Sequence, residues 1–175
     1  MFETALTPRR MAGLLSLALA LVLSSCTVGP LYAPGPGGET VRADLAAISI
    51  LPVDNRVGQV IRNELQFAFT GGGAPAPVVV YELSLSATTG GGGFNVTAPG
   101  NEASSGVSVT ARYTLMVIAT GEIIVNGTVR TETRYTRSNQ AFANLRAEED
   151  AQERAAREAA ERIELDIAAA LAARI

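Results

Sequence analysis

Three stretches of this chain alternate between apolar and polar residues, and that period of two constrains the fold more than any other feature. Val79, Tyr81, Leu83 and Leu85 alternate with Glu82, Ser84 and Ser86. Val107, Val109, Ala111, Tyr113, Leu115 and Val117 alternate with Ser108, Thr110, Arg112 and Thr114. Ile123, Val125, Val129 and Thr131 alternate with Asn126, Thr128, Arg130, Glu132 and Arg134. Successive side chains of a strand point to opposite faces, so each stretch offers one greasy face and one polar face. A sheet of such strands is covered on one side and stays more open on the other.

Two segments have the period that can supply the cover. From 56 to 69, Val57, Val60, Ile61, Leu65, Ala68 and Phe69 fall at the i, i+3, i+4 spacing of an amphipathic helix. Asp54 or Asn55 stands ready to cap it, and Gly71-Gly72-Gly73 with Pro75 stops it. A second, longer helix is predicted over about 139–174, capped by Ser138 or Asn139. Its expected buried stripe is Phe142, Leu145, Ala156, Ala159, Ile163, Ile167 and Leu171, shallow enough through the alanines for close approach to the sheet. Asp150/Arg154, Glu153/Arg157 and Glu158/Arg162 are i, i+4 pairs, each worth a few tenths of a kcal/mol. A short apolar run at 46–53 reads as a further strand with Pro52 near its end. The expected fold is therefore α+β, with two helices packed on one face of a four-stranded mixed sheet in the order β-α-β-β-β-α. Residues 88–106, rich in Gly, Ser and Thr, read as a long loop.

The start of the chain reads as an address. Arg9 and Arg10 precede an apolar run at 11–23, then Ser24-Ser25-Cys26. That is the pattern of a secretory signal peptide, and roughly 13 apolar residues fall short of the ~20 that a spanning helix needs. Leu23-Ser24-Ser25-Cys26 resembles the bacterial lipobox, whose cysteine becomes the acylated first residue of the mature protein. Two or more acyl chains hold a protein stably on a membrane where one does not. Thr27 after the cysteine, rather than aspartate, points to outer-membrane delivery. The Gly/Pro-rich 29–44 reads as a tether, giving a signal peptide at 1–25, a lipidated tether at 26–45 and one folded domain at 46–175.

Composition removes whole classes of function. The chain has no histidine, one cysteine and 14 basic residues, all of them arginine. Zinc and iron sites built from clustered Cys and His, disulfide frameworks and His-based triads are excluded. The mature segment carries twelve arginines against sixteen acids, so it has no basic domain for nucleic acid. No cofactor fingerprint is present, since neither glycine run is followed by the Lys-Ser/Thr of a phosphate loop.

What remains is arginine. If the apolar faces of the last two strands both meet the helices, odd residues pair with odd, for example Leu115 with Gly127 and Val117 with Val125. That register sets Arg112 directly opposite Arg130, with Arg134 further along. Like charges directly opposite destabilise a sheet, so the arrangement invites a bound anion, and guanidinium suits phosphate. The bland alternative is that Glu82, Glu122 and Glu132 neutralise these arginines on a solvated face.

A family resemblance adds to this reading. Cys26-Thr27-Val28-Gly29-Pro30-Leu31-Tyr32 resembles the mature start of the lipopolysaccharide-assembly lipoproteins of the LptE family. The segment Ile48-Ser49-Ile50-Leu51-Pro52-Val53, followed by Arg56-Val57-Gly58-Gln59 and Arg62-Asn63-Glu64-Leu65, resembles that family's first strand and helix. The resemblance implies a non-enzymatic outer-membrane lipoprotein that sits inside and beside the LptD β-barrel and helps place lipopolysaccharide in the outer leaflet. It further implies that basic residues near one end of the sheet contact the lipid's phosphorylated sugars, a role open here only to Arg112, Arg130 and Arg134. Two other functions compete: an accessory lipoprotein of a phospholipid transporter, and a periplasmic hydrolase using Glu82 and Glu132 as paired carboxylates.

Overall fold

The computed structural model describes residues 36–96 and 103–174. In chain order these form α1 (Pro36–Ala46), β1 (Ile48–Ile50), α2 (Arg56–Thr70), β2 (Tyr81–Val96), β3 (Ala103–Val117), β4 (Ile123–Arg137) and α3 (Ala141–Ala172). The strands make one four-stranded sheet in the order β1-β2-β3-β4, with β1 parallel to β2 and the rest antiparallel. The α+β class and the mixed sheet are as the sequence predicts.

Each helix can be traced to its residues. Asn55 accepts the Gly58 N–H at 2.7 Å and so caps α2, while Gly71 takes the left-handed conformation (φ 59°) that closes it. The same Asn55 donates from Nδ2 to the Ala87 carbonyl of β2 at 2.8 Å, tying the helix start to the sheet. Val57, Ile61, Leu65 and Phe69 of α2 are buried against the sheet and α3. On α3, Ala151, Ala155, Ala156, Ala159 and Ala160 are buried, and Thr131 of β4 donates to the Ala155 carbonyl at 2.7 Å. The shallow alanine stripe thus brings α3 close to the sheet. Ile163, Ile167 and Leu171 complete the core beside Leu83, Val109 and Leu115.

Four expectations need correction. The segment read as a tether contains α1, whose Val41 and Leu45 are 2% exposed and join the core, so three helices rather than two build it, α1 lying against α2 and α3. Its glycines and proline hid a helix that draws its stability from tertiary packing. Most of the expected loop at 88–106 is strand: Thr88 pairs with Thr110 and Gly92 with Gly106, so the antiparallel ladder runs on through residues whose missing side chains erase the alternation. Phe142 and Leu145, expected in the buried stripe, are 70% and 53% exposed, because burial on α3 begins only at Ala151. The apolar spacing of α3 therefore extends N-terminally beyond the part that packs against the described core.

The fourth correction concerns register. β3 and β4 pair odd with odd, yet two residues away from the expected alignment: Leu115 faces Val125, Tyr113 faces Gly127 and Arg112 faces Thr128. The turn sets the offset. Gly121 (φ 70°) donates to the Val117 carbonyl at 2.8 Å, and a bulge between Leu115 and Met116 shifts the pairing to Met116–Ile123.

Candidate functional site

The open face of the sheet carries the even-numbered residues of β2, β3 and β4, and pairing arranges them in rows. Ser84, Thr114 and Asn126 form one row; Ser86, Arg112 and Thr128 the next; Thr88, Thr110 and Arg130 the third. Further along, Gly90, Ser108 and Glu132 align, then Gly92, Gly106 and Arg134. The surface is a floor of hydroxyls crossed by guanidinium groups. Period-two alternation made the polar face legible, but only the observed register shows how densely its Ser and Thr residues cluster around Arg112.

The three arginines share this face without being equivalent. Arg112 faces Thr128, so Arg130 is its diagonal neighbour, about 7–8 Å away by strand geometry, rather than its direct opposite. Arg130 is held by Glu132, which accepts from Nε at 3.1 Å and from Nη2 at 2.9 Å. That contact realises part of the bland alternative. Glu122, by contrast, pairs with Arg174 at 2.8 Å, and this bond holds its carboxyl below the usual range. Arg112, on the central strand and exposed, makes no ion pair with a described residue. Arg134 lies where β2 and β3 have only glycine beside it, and its carbonyl accepts from Arg154 at 3.2 Å. Cys26 lies outside the described residues.

The paired-carboxylate reading fails on distance. Glu82 is level with Met116 and Glu132 with Ser108, eight residues apart along β3, or about 27 Å at strand rise. A glycosidase pair sits within about 10 Å.

Beneath the open face lies a polar contact that sequence patterning does not reveal. Tyr113 points toward the helices, passes over Gly127 and donates to Asp166 of α3 at 2.8 Å. Burial first, then this hydrogen bond and the carboxylate's charge, push its phenol well above the ordinary range. The contact locks α3 to the centre of the sheet and fixes the platform that carries Arg112.

Part of the β4 edge is covered from α3. Arg154 and Arg162 donate to the carbonyls of Arg134 and Arg130 at 3.2 and 3.4 Å. Eight helical residues span about 12 Å and four strand residues about 13 Å, so two guanidinium groups on one helix face match alternate outward carbonyls. Among the described residues no helix is long and apolar enough to cross a membrane.

Comparison with known proteins follows the same lines. The model of the family described as LptE: Lipopolysaccharide-assembly matches residues 45–167. The fold is similar to that of a candidate lipoprotein from Caulobacter crescentus, with TM-score 0.63 and 26% identity over 77% of this chain and 97% of that one. It also resembles a minor lipoprotein from Acinetobacter baumannii (TM-score 0.52, 13% identity, 71% of this chain and 92% of that one). Rare lipoprotein B from Shewanella oneidensis is similar at TM-score 0.50 and 15% identity, over 70% and 93% of the two chains. The last two likenesses concern the fold alone. No curated protein sequence matches.

Proposed function

The chain belongs to the LptE family of lipopolysaccharide-assembly proteins, and on that premise we propose that it is a lipid-anchored, non-catalytic subunit of the outer-membrane machine that delivers lipopolysaccharide. In this reading Cys26 carries the acyl chains and holds the protein on the periplasmic side of the outer membrane. The domain then docks against, and partly plugs, an LptD-like β-barrel.

The observation that carries the proposal is the family match over 45–167, which spans β1 to most of α3. The open face supports it. A guanidinium on a flat, hydroxyl-rich floor can hold a phosphate through two parallel N–H bonds while neighbouring Ser and Thr groups meet sugar hydroxyls. Arg112 is the centre of that contact, with Arg130 and Arg134 along its β4 flank. Such a surface binds by charge and shape and breaks no bond.

Gentle solubilisation of outer membranes followed by affinity capture of the full-length protein tests the reading. A co-purifying barrel of several hundred residues is the expected result. Recovery of the protein as a free monomer, or with a channel-forming inner-membrane protein, overturns it.

A further inference from the structure

The open face changes character along its length. Beyond the row of Ser84, Thr114 and Asn126, toward the start of β2, lies the row of Glu82, Met116 and Ile123. The Ile118 N–H donates to the Val80 carbonyl at 3.0 Å, which adds one more row, Val80 beside Ile118. The bulge after Leu115 sets Ile123 opposite Met116 and so turns it to the open face, while Ile124 and Val125 pack against the core. Val80, Ile118 and Ile123 are 39%, 50% and 56% exposed, and Met116 is half-buried. Four apolar side chains in two successive rows, bordered by polar ones, form a patch of the kind that marks a binding surface.

This patch shares its face with Arg112. Met116 is four residues along β3 from Arg112, about 13 Å at strand rise, and Ile118 is six, about 20 Å. The row between them, Ser84, Thr114 and Asn126, is neutral. Charge is graded in the same direction. Glu82 stands in the apolar rows and repels an anion, whereas Arg112 makes no ion pair with a described residue. A protein surface would match the hydrocarbon alone. Hydrocarbon and an unpaired guanidinium at this separation on one face match an amphiphile with an anionic head. An acyl chain is about 15 Å long, half the hydrocarbon thickness of a bilayer, so it spans the neutral row and reaches the patch.

We propose that the open face binds a phosphorylated glycolipid lengthwise along its strands, the phosphate on Arg112 and an acyl chain on Val80, Met116, Ile118 and Ile123. This rests on the reading that Arg112 contacts lipopolysaccharide, and adds to it an acyl subsite and an orientation. The chain points toward the β3–β4 turn, and Glu82 disfavours the reverse placement.

The test compares intact lipopolysaccharide with its fully deacylated form on the full-length protein by surface plasmon resonance. Ile118→Thr combined with Ile123→Thr removes hydrocarbon at exposed positions and keeps the β-branch that strands favour. Intact lipopolysaccharide should bind the unaltered protein about tenfold or more tightly than the deacylated form. The double variant should lose about that factor on the intact form alone, with unchanged thermal unfolding, whereas Arg112→Ala should weaken both forms severalfold. A photo-crosslinking residue at Ile118 should capture lipopolysaccharide in cells. Equal binding of the two forms, or a double variant that binds intact lipopolysaccharide normally, overturns the acyl subsite and leaves the Arg112 contact standing if Arg112→Ala still weakens both. A cross-link from Ile118 only to the barrel, to a second copy or to the amino-terminal segment of the same chain overturns the choice of occupant. No binding of either form by the unaltered protein overturns the lipopolysaccharide contact beneath the proposal.

Discussion

Gly127→Ala is the sharpest probe of how the platform is held. A Cβ at this position lies 2.6 Å from the Tyr113 hydroxyl, 2.8 Å from Cζ and 2.9 Å from Cε1. Gly127 is not among the positive-φ glycines, so alanine suits its backbone and the whole effect comes from the clash. Tyr113 is 4% exposed and its hydroxyl is bonded to Asp166, so a ring that yields to the new methyl gives up that bond. Overpacking of this kind costs about 1–3 kcal/mol, and losing the hydrogen bond to the Asp166 carboxylate adds about 1.5 kcal/mol. The stiffer unfolded chain of alanine returns about 0.5 kcal/mol. The net loss is about 3 kcal/mol, or roughly 9 °C in Tm for a domain of this size. Urea unfolding followed by far-UV circular dichroism measures it. In a Tyr113→Leu background, where the ring and hydroxyl are gone, Gly127→Ala should be close to neutral. An equal penalty in both backgrounds refutes the clash reasoning, because the cost would then be independent of Tyr113.

Asn55→Ala should cost about 2 kcal/mol, combining loss of the α2 cap (~1 kcal/mol) with loss of the bond to the Ala87 carbonyl (~1 kcal/mol). Asn55→Asp, which keeps the cap acceptor and lacks the donor, should recover about half in urea titrations. The raised pKa of Tyr113 gives an alkaline signature: its contribution is complete below the unfolded tyrosine value of about 10 and is lost as pH rises through the folded value. Unfolding midpoints measured above pH 10 should fall, and Tyr113→Phe should flatten that part of the profile. Arg112→Ala should change stability by less than about 0.5 kcal/mol while weakening binding to lipopolysaccharide severalfold; unchanged binding by surface plasmon resonance removes Arg112 from the contact.

The parts of this fold that were legible in the sequence are those with periodic side chains and chemical punctuation. α2 could be read almost to the residue, because Asn55 and Gly71 bracket a clean amphipathic stretch. The long α3 announced itself through alanines and i, i+4 ion pairs, and all three expected pairs form. What stayed hidden depends on partners distant in sequence. The glycines at 90–93 carry no pattern, so the extension of β2 is fixed only by β3 across from it. α1 shows its helical nature only when Val41 and Leu45 find the core. For the candidate site, parity placed Arg112 and Arg130 correctly on the open face, while the turn and the bulge beyond Leu115 decided that they sit diagonally. The link from Tyr113 to Asp166 spans 53 residues and needs a glycine on the neighbouring strand, which no local pattern encodes.

In the proposed function this protein serves lipopolysaccharide delivery as a docked subunit rather than as a catalyst. Depleting it from living cells and measuring lipopolysaccharide at the cell surface tests this most directly. Loss of surface lipopolysaccharide is the expected result, with the glycolipid accumulating before it reaches the outer leaflet. A normal glycolipid coat in depleted cells contradicts it.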